Sequence, residues 1–356
     1  MKVTLRDIAE AADVSISTVS RVLKGDPVIS TDRASLIRGI ATRMNYRGRD
    51  GAKSTVALAQ QTLCGRSVGL VTLGMDRSLL SLPTVALALN GAEAALSQAG
   101  ANVLLCHVPD LEQHASSLER QSLDGVVLMG ALQGNRIATA RSALLDRLRQ
   151  TATVWIVGKP QDCWGDVVMS DSVAVGTRAA EYLIERGHTR LGFVNPKPDH
   201  LQFRQRETGF LAAAARAGVR VERFCEDPPG GWSLPLRPPT DVDAVERLVD
   251  QMLRSRVRPT GLLAAADSVA TLTYRALAAR DLVVGRDISV ISANNDTAWI
   301  AGLHPRLTTF DVHAERIGRL AVHQLAFRMS DPGAPGEVQL LVEPTLVEGN
   351  SVARRT

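Results

Sequence analysis

From Ser67 onward the chain alternates short β-branched apolar runs with amphipathic stretches of helical period, and this alternation narrows the possible folds more than any other feature. Parallel strands need crossovers long enough to hold a helix, so the pattern points to parallel sheets covered by helices. A first set of strands is expected at Val68-Gly69-Leu70-Val71, Val103-Leu104-Leu105, Gly125-Val126-Val127-Leu128 and Val154-Trp155-Ile156-Val157. A helix carrying Val85, Leu89, Ala92 and Leu96 follows the first strand, and Lys159-Pro160 closes the set. A second set begins with a helix from Ser172 to Arg186 and continues through strand 190–194 and a helix bearing Phe210, Leu211 and Ala214 that ends at Gly218. Strands 261–264 and 288–291 complete it. Two Rossmann-like lobes side by side leave a cleft at the carboxyl ends of their strands, the usual ligand position in open α/β sheets.

Neither lobe carries a Gly-x-Gly-x-x-Gly or Walker A loop, so no nucleotide cofactor is expected. The seven histidines are dispersed, and no His-Glu-x-x-His or Gly-x-Ser-x-Gly occurs, which argues against an enzyme. Cys64, Cys106, Cys163 and Cys225 lack Cys-x-x-Cys spacing, so neither a metal site nor a disulfide framework is expected and the thiols should be reduced. No apolar run follows a basic start, and no stretch of about 18 apolar residues occurs, so membrane spanning and secretion are not expected and the cytosol is.

The first 46 residues follow a different pattern. Leu5, Ile8, Ala9 and Ala12 share one helical face, with Thr4 placed to cap it and Asp7 three residues on. Asp13-Val14 breaks the pattern, and Ser15 can cap a second helix that turns Val19, Val22 and Leu23 inward before Lys24-Gly25. After Asp26-Pro27, Ser30 can cap a third helix with Leu36, Ile37, Ile40, Ala41 and Met44 as its apolar stripe. The result is a small all-α helix-turn-helix unit whose second helix turns Ile16, Ser17, Thr18, Ser20 and Arg21 outward. Residues 1–66 hold eleven Lys or Arg against six acids, a net +5, whereas the whole chain carries +4. A cationic module on a near-neutral body suits one part that neutralises phosphates and another that binds something else. Residues 47–55 read as a Gly-rich charged linker, and 56–63 as two helical turns that would be marginal alone in water.

Residues 3–46 resemble the DNA-binding headpiece of the lactose-repressor (LacI/GalR) family. The match runs through Thr4-Leu5-x-Asp7-Ile8-Ala9, Val14-Ser15-x-x-Thr18-Val19-Ser20-Arg21-Val22-Leu23 and Asn45-Tyr46. The body resembles the family's effector-binding core, itself similar to periplasmic sugar-binding proteins. Leu183-Ile184-x-x-Gly187-His188-x-Arg190-Leu191-Gly192-Phe193, Arg206-x-x-Gly209-Phe210 and Asp287-Ile288-Ser289-Val290-Ile291 carry that likeness.

The resemblance implies a homodimeric, or larger, transcriptional regulator: a repressor on a pseudo-palindromic double-stranded operator, controlled by a small metabolite such as a sugar or sugar derivative. A periplasmic-type binding protein without a regulatory role is the alternative; it should carry a signal peptide and lack the basic headpiece. The expected organisation is a helix-turn-helix domain at 1–46, a linker and hinge helix at 47–66, and a two-lobed body at 67–356. Three crossings near Lys159, Asn294 and Leu325 would give an N-lobe of 67–159 and 294–324 and a C-lobe of 160–293 and 325–356.

Expected DNA-binding residues are Thr4, Ser15, Ile16, Ser17, Thr18, Ser20, Arg21 and Lys24, with Arg21 suited to guanine, Ile16 to a thymine methyl and Ser17 permissive. The family's hinge helix wedges a leucine into the minor groove, a role open to Leu58 or Leu63. The Pro-Asn that usually follows the Tyr-Arg, here Tyr46-Arg47, is missing and the linker is longer, so an ordinary tether with Leu63 packing on the body is the other reading. In the cleft, Arg206 takes the effector-contacting arginine position, Asp267 follows a strand where it could face ligand or cap a helix, and Trp232 could offer a ring to a sugar or pack internally. Asn294 stands where the family often has an aspartate, and Ala266 where it often has an asparagine, which leaves room for a ligand with fewer amines or more negative charge. Met75, Asp76 and Arg77 follow the first strand and could reach the cleft.

Overall fold

The structure is a computed structural model that describes residues 4–23, 31–44, 57–112, 121–227, 231–237 and 242–355. The chain divides into two compact units, 1–58 and 59–356.

In the first unit, α1 (Leu5–Ala11), α2 (Ile16–Leu23) and α3 (Thr31–Arg43) share a core of Ile8, Ala9, Val19, Val22, Ala34, Ile37, Ile40 and Ala41. The expected capping box is present: Asp7 N–H donates to Thr4 Oγ1 at 3.4 Å and Thr4 N–H donates to Asp7 Oδ2 at 2.7 Å. The turn between α1 and α2 passes through Asp13 at φ 49, left-handed backbone that aspartate tolerates. Leu36 corrects the expected α3 stripe, since it is 55% exposed while Ile37, Ile40 and Ala41 carry the contact.

The second unit holds two six-stranded sheets among the described residues. The first contains β1 (Ser67–Leu73), β2 (Asn102–Val108), β3 (Gly125–Gly130), β4 (Ala152–Ile156), β5 (Asp166–Ser170) and β11 (Gln339–Val342), in the order β11-β5-β4-β3-β1-β2. The second contains β6 (Arg190–Asn195), β7 (Arg220–Cys225), β8 (Gly261–Ala264), β9 (Ser289–Asn294), β10 (Thr308–Asp311) and β12 (Thr345–Val347), in the order β12-β10-β9-β8-β6-β7. All neighbours are parallel except β10 and β12. Central strands are buried on both faces, as helical crossovers require.

Both lobes bring a helix pair together by the same means. The helix Pro83–Gln98 meets a long helix, Ala314–Ser330, through Gly91 and Gly318, where an added Cβ would stand 2.1 Å from Glu315 O and 2.0 Å from Ala88 O. The helices Ser172–Glu185 and Leu201–Arg216 meet through Gly176 and Gly209, where a Cβ would stand 1.8 Å from Arg206 O and 2.0 Å from Val173 O. Only glycine lets the backbones approach so closely.

The expected lobe boundaries need correction. β5 belongs to the first sheet and β10 to the second, and Ala314–Ser330 is one continuous helix packed on the first sheet, so the crossings lie at Asp171, Val312-His313 and Glu343-Pro344. Lys159-Pro160 sits in the turn between β4 and β5 rather than at a lobe boundary. The crossings lie side by side, with Asp171 N–H donating to Val342 O at 2.9 Å and His313 Nε2 lying 2.8 Å from Thr345 Oγ1.

Candidate functional site

Helix α2 begins where Ser15 caps it: Thr18 N–H donates to Ser15 Oγ at 3.1 Å, and the Ser17 and Thr18 hydroxyls each lie 2.8 Å from that oxygen. Val19 and Val22 point inward, which rotates Ile16, 47% exposed, together with Ser17 and Arg21 to the outside. Thr18 and Ser20 lie half-buried on the flanks. Thr4 is engaged in its capping box, and Lys24 lies outside the described residues. A helix at 57–63 is present, but Leu63 is fully buried in the core of the body beside Ala59. Leu63 is therefore corrected as a minor-groove wedge, because its apolar surface is already covered, while Leu58 is half-buried.

The cleft lies where the carboxyl ends of β1, β3 and β4 face those of β6, β8 and β9, and it encloses a cavity of about 140 Å³. Several contacts bridge the lobes across it. Gln133 and His200 form an antiparallel bridge, and Leu201 N–H donates to Leu132 O at 3.1 Å. The Gln202 amide donates to Val157 O. Thr84, in the first turn of the helix Pro83–Gln98, donates its hydroxyl proton to Asp296 Oδ1 at 2.6 Å. Residues 234–236 reach across from the second lobe: Leu236 N–H donates to Gly74 O and Asp76 N–H to Leu236 O, each at 2.7 Å. Leu236 and Arg237 are thus part of the wall.

The expected cleft residues divide. Met75 and Asn294 line the cavity. Arg206 does not: it is 1% exposed, and its guanidinium donates to Ala265 O at 2.5 Å and Asn294 Oδ1 at 2.8 Å. Burial brings its pKa down to about 10, against the opposing pull of Asp267 and Asp296, so it stays cationic at neutral pH. Its place behind Asn294 makes it a support of the wall rather than part of it.

Asp267 is fully buried and off the cavity, accepting from the Ser292 hydroxyl, from Thr309 Oγ1 at 2.7 Å and from Asp296 N–H at 2.7 Å. It ties the helix Asp267–Ala278 to β9 and β10, and the cap position itself belongs to Ala266, so both expected uses of Asp267 are corrected. Burial pushes its carboxyl up in spite of these bonds. Asp76 caps a short 3-10 turn through Ser78 N–H at 2.9 Å, and Arg77 is exposed; neither lines the cavity. Trp232 lines a separate depression with Arg136 and Asp199.

Sequence reasoning missed Thr84, Lys197, His200, Gln202, Asp296 and Trp299. Asp296, His200 and Lys197 sit just past strand ends, so the rule that ligands gather there could have found them. Burial pushes the Asp296 carboxyl up, partly offset by hydrogen bonds from Thr84 and Asn294 and by Arg206. Burial, together with Lys197, Arg206 and Arg204, lowers His200 well below the ordinary imidazole value and keeps it neutral. Asn295 takes φ of 57, left-handed backbone that asparagine tolerates, and Asn294, at the position where the resemblance puts an aspartate, takes φ of 125, outside that region.

A family model described as bacterial regulatory proteins, lacI family, matches residues 4–48, and one for a periplasmic binding protein-like domain matches 180–352. The ribose operon repressor of Escherichia coli (strain K12) is 26% identical over 352 residues, covering 98% of this chain and 99% of its own. The HTH-type transcriptional repressor PurR of Pectobacterium atrosepticum is 25% identical over 358 residues, covering 98% and 97%. Among solved structures, a transcriptional regulator CelR-cellobiose complex matches with a TM-score of 0.63 at 22% identity, over 98% of this chain and 100% of that one. A lac repressor dimer bound to operator and the anti-inducer ONPF matches with a TM-score of 0.63 at 21% identity, over 99% and 100%. These last two bear on the fold alone, which is the expected helix-turn-helix unit joined to a periplasmic-binding-protein-like core. With both family models in sequence order and relatives matched end to end, this chain belongs to the LacI/GalR family of bacterial transcriptional regulators, DNA-binding proteins that are not enzymes.

Proposed function

We propose that this chain is a repressor that binds a pseudo-palindromic operator as a homodimer and is controlled by a small metabolite in the inter-lobe cleft. One observation carries the reading: α2 presents Ile16, Ser17 and Arg21 outward from a capped helix, in a chain whose body holds a cavity bridged by both lobes. Arg21 reads guanine O6 and N7, Ile16 packs on a thymine methyl and Ser17 tolerates several bases, while Thr18 and Ser20 contact phosphates. A single headpiece buries too little surface for selective recognition, and two-fold symmetry lets a dimer read two half-sites.

Ligand between the lobes changes how they meet at Gln133, Gln202, Thr84 and Leu236, and the dimer passes that change to the segment that includes Leu58. Effector and operator affinities are then coupled reciprocally. A carbohydrate is the effector class supported by the names of the relatives, one a ribose operon repressor and another a cellobiose complex. No helix among the described residues is long and apolar enough to cross a membrane, and the proposed place of action is the cytosol, with the operator.

Selection of sites from random duplexes, with and without a metabolite panel, tests this reading. Enrichment of a two-fold symmetric site, shifted by one metabolite, is the expected result. No enrichment under any condition overturns it, and a body that binds metabolite without any duplex preference would favour a binding protein without a regulatory role.

A further inference from the structure

The three crossings all lie at one side of the body. They join β5 and β11, at one end of the first sheet, to the second lobe, where β10 and β12 hold the corresponding end. At the other side stand β1 and β2 in the first lobe and β6 and β7 in the second. Two lobes that turn about crossings at one side part furthest at the other, so a contact made there resists opening with the greatest leverage.

One segment makes such a contact. Residues 231–237 lie between β7 and the helix Val242–Arg254, both of the second lobe, yet Leu234 and Leu236 pack half-buried on the core of the first. The approach is close, since a Cβ at Gly74 would stand 3.1 Å from Leu234 Cδ2. Leu236 pairs with Met75, just beyond β1, as a one-residue parallel bridge. Its N–H donates to Gly74 O and its carbonyl accepts from Asp76 N–H, each at 2.7 Å. Leu236 also lines the cavity beside Met75 and Leu79, so one residue both closes the wall and joins the lobes. The bridges at Leu132, Gln133 and Val157 follow β3 and β4, nearer the crossings. Parting the lobes breaks both backbone bonds of Leu236 and returns the apolar surface of two leucines to water.

We propose that residues 234–236 form a clasp on the side of the cleft away from the crossings, and that its release lets the lobes part and exchange the effector. Leu234 and Leu236 set how often the empty body opens, and so how fast effector enters and leaves. The part the clasp plays in regulation rests on the reading of the cleft as the effector site; its hold on the lobes does not.

Hydrogen exchange of the full chain without ligand, resolved to single amides, tests the clasp. Asp76 N–H is held by the clasp itself. Leu201 N–H reports lobe opening elsewhere: it donates across the cleft to Leu132 O at 3.1 Å, and as the first residue of its helix it has no acceptor within that helix. Leu234→Ala is the variant, because Leu234 packs on the first lobe without lining the cavity. Both amides should exchange about 10-fold faster in Leu234→Ala and near the parent rate in Leu234→Met, with the amides of β1 and β6 unchanged. Faster exchange at Asp76 with Leu201 unchanged overturns the proposal, since the segment would then open without moving the lobes. An Asp76 amide unprotected in the parent, or equal acceleration in β1 and β6, overturns it as well. Duplex selection with the metabolite panel tests the effector reading separately: an operator that no metabolite shifts, beside the expected exchange, removes that reading and leaves the clasp.

Discussion

Replacing Asp267 with alanine separates two accounts of a residue that looks like a ligand contact in sequence. Its carboxylate is fully buried and accepts from Ser292, Thr309 and the Asp296 amide. After truncation the Ser292 and Thr309 hydroxyls, 3.4 Å apart, can still serve each other. The Asp296 N–H cannot, and an orphaned buried donor costs about 1–3 kcal/mol. Arg206 also loses a nearby opposing charge inside the protein. Together the loss should reach about 3–5 kcal/mol. At about 2–4 °C per kcal/mol for a domain of this size, the body's Tm should fall by about 6–20 °C.

Calorimetric or spectroscopic melting of the full chain, watching the body's transition, measures this. Asp267→Asn, which keeps the shape and one acceptor, should fall between the two. Because burial raises the folded pKa, ionising Asp267 costs stability as pH rises from the ordinary carboxylate value through the raised one, and the asparagine variant should lack that decline. A Tm within about 2 °C of the parent in Asp267→Ala, together with loss of metabolite response, would refute the structural role and return the carboxylate to the ligand.

Other outcomes can be checked in parallel. Burial alone would raise Asp166, but Arg328, the Val338 amide and Gln324 hold it below the ordinary carboxylate value. It therefore stabilises the fold above that value and loses this contribution as pH falls through it, so acid titration should show the gap between parent and Asp166→Asn closing below about pH 4. Gly209→Ala puts a Cβ 2.0 Å from Val173 O and should cost about 3 kcal/mol in urea unfolding, whereas Gly302→Ala, with open space around it, should stay within about 0.5 kcal/mol. Thr4→Ala should cost the headpiece about 1 kcal/mol through loss of its capping box, read by helicity on heating. Arg21→Ala should weaken the selected operator by about 1–3 kcal/mol and relax preference at one base pair; an equal loss on every duplex would remove its role in base readout.

How much could be read without coordinates depended on how local the cause was. The capping box, the Ser15 cap and the outward turn of Ile16, Ser17 and Arg21 each follow from residues within a few positions of one another. The strongly apolar central strands were also legible, because burial on both faces leaves a continuous hydrophobic run. The short or charged strands β5, β7, β10 and β11 were not, since Arg220, Glu222 and Arg223 resemble a loop until β6 is seen to pair with β7. Missing β5, β10 and β11 moved all three expected crossings.

The sequence by itself determined the two kinds of module, their order, the recognition face and the presence of a cleft, all of which rest on periodicity, caps and strand ends. Only the tertiary structure decided which side chains line that cleft. Thr84, Gln133, His200, Leu236 and Asp296 meet there from segments far apart in the chain, and hydrogen-bonding competition among them settles which polar groups remain for a ligand. Arg206 and Asp267 sit where the sequence motifs put them, but in the folded chain they bond to Ala265, Asn294, Ser292 and Thr309. A buried charge must find partners, and here protein supplies them to both terminal nitrogens of Arg206 and to the Asp267 carboxylate, while Arg206 Nε has none.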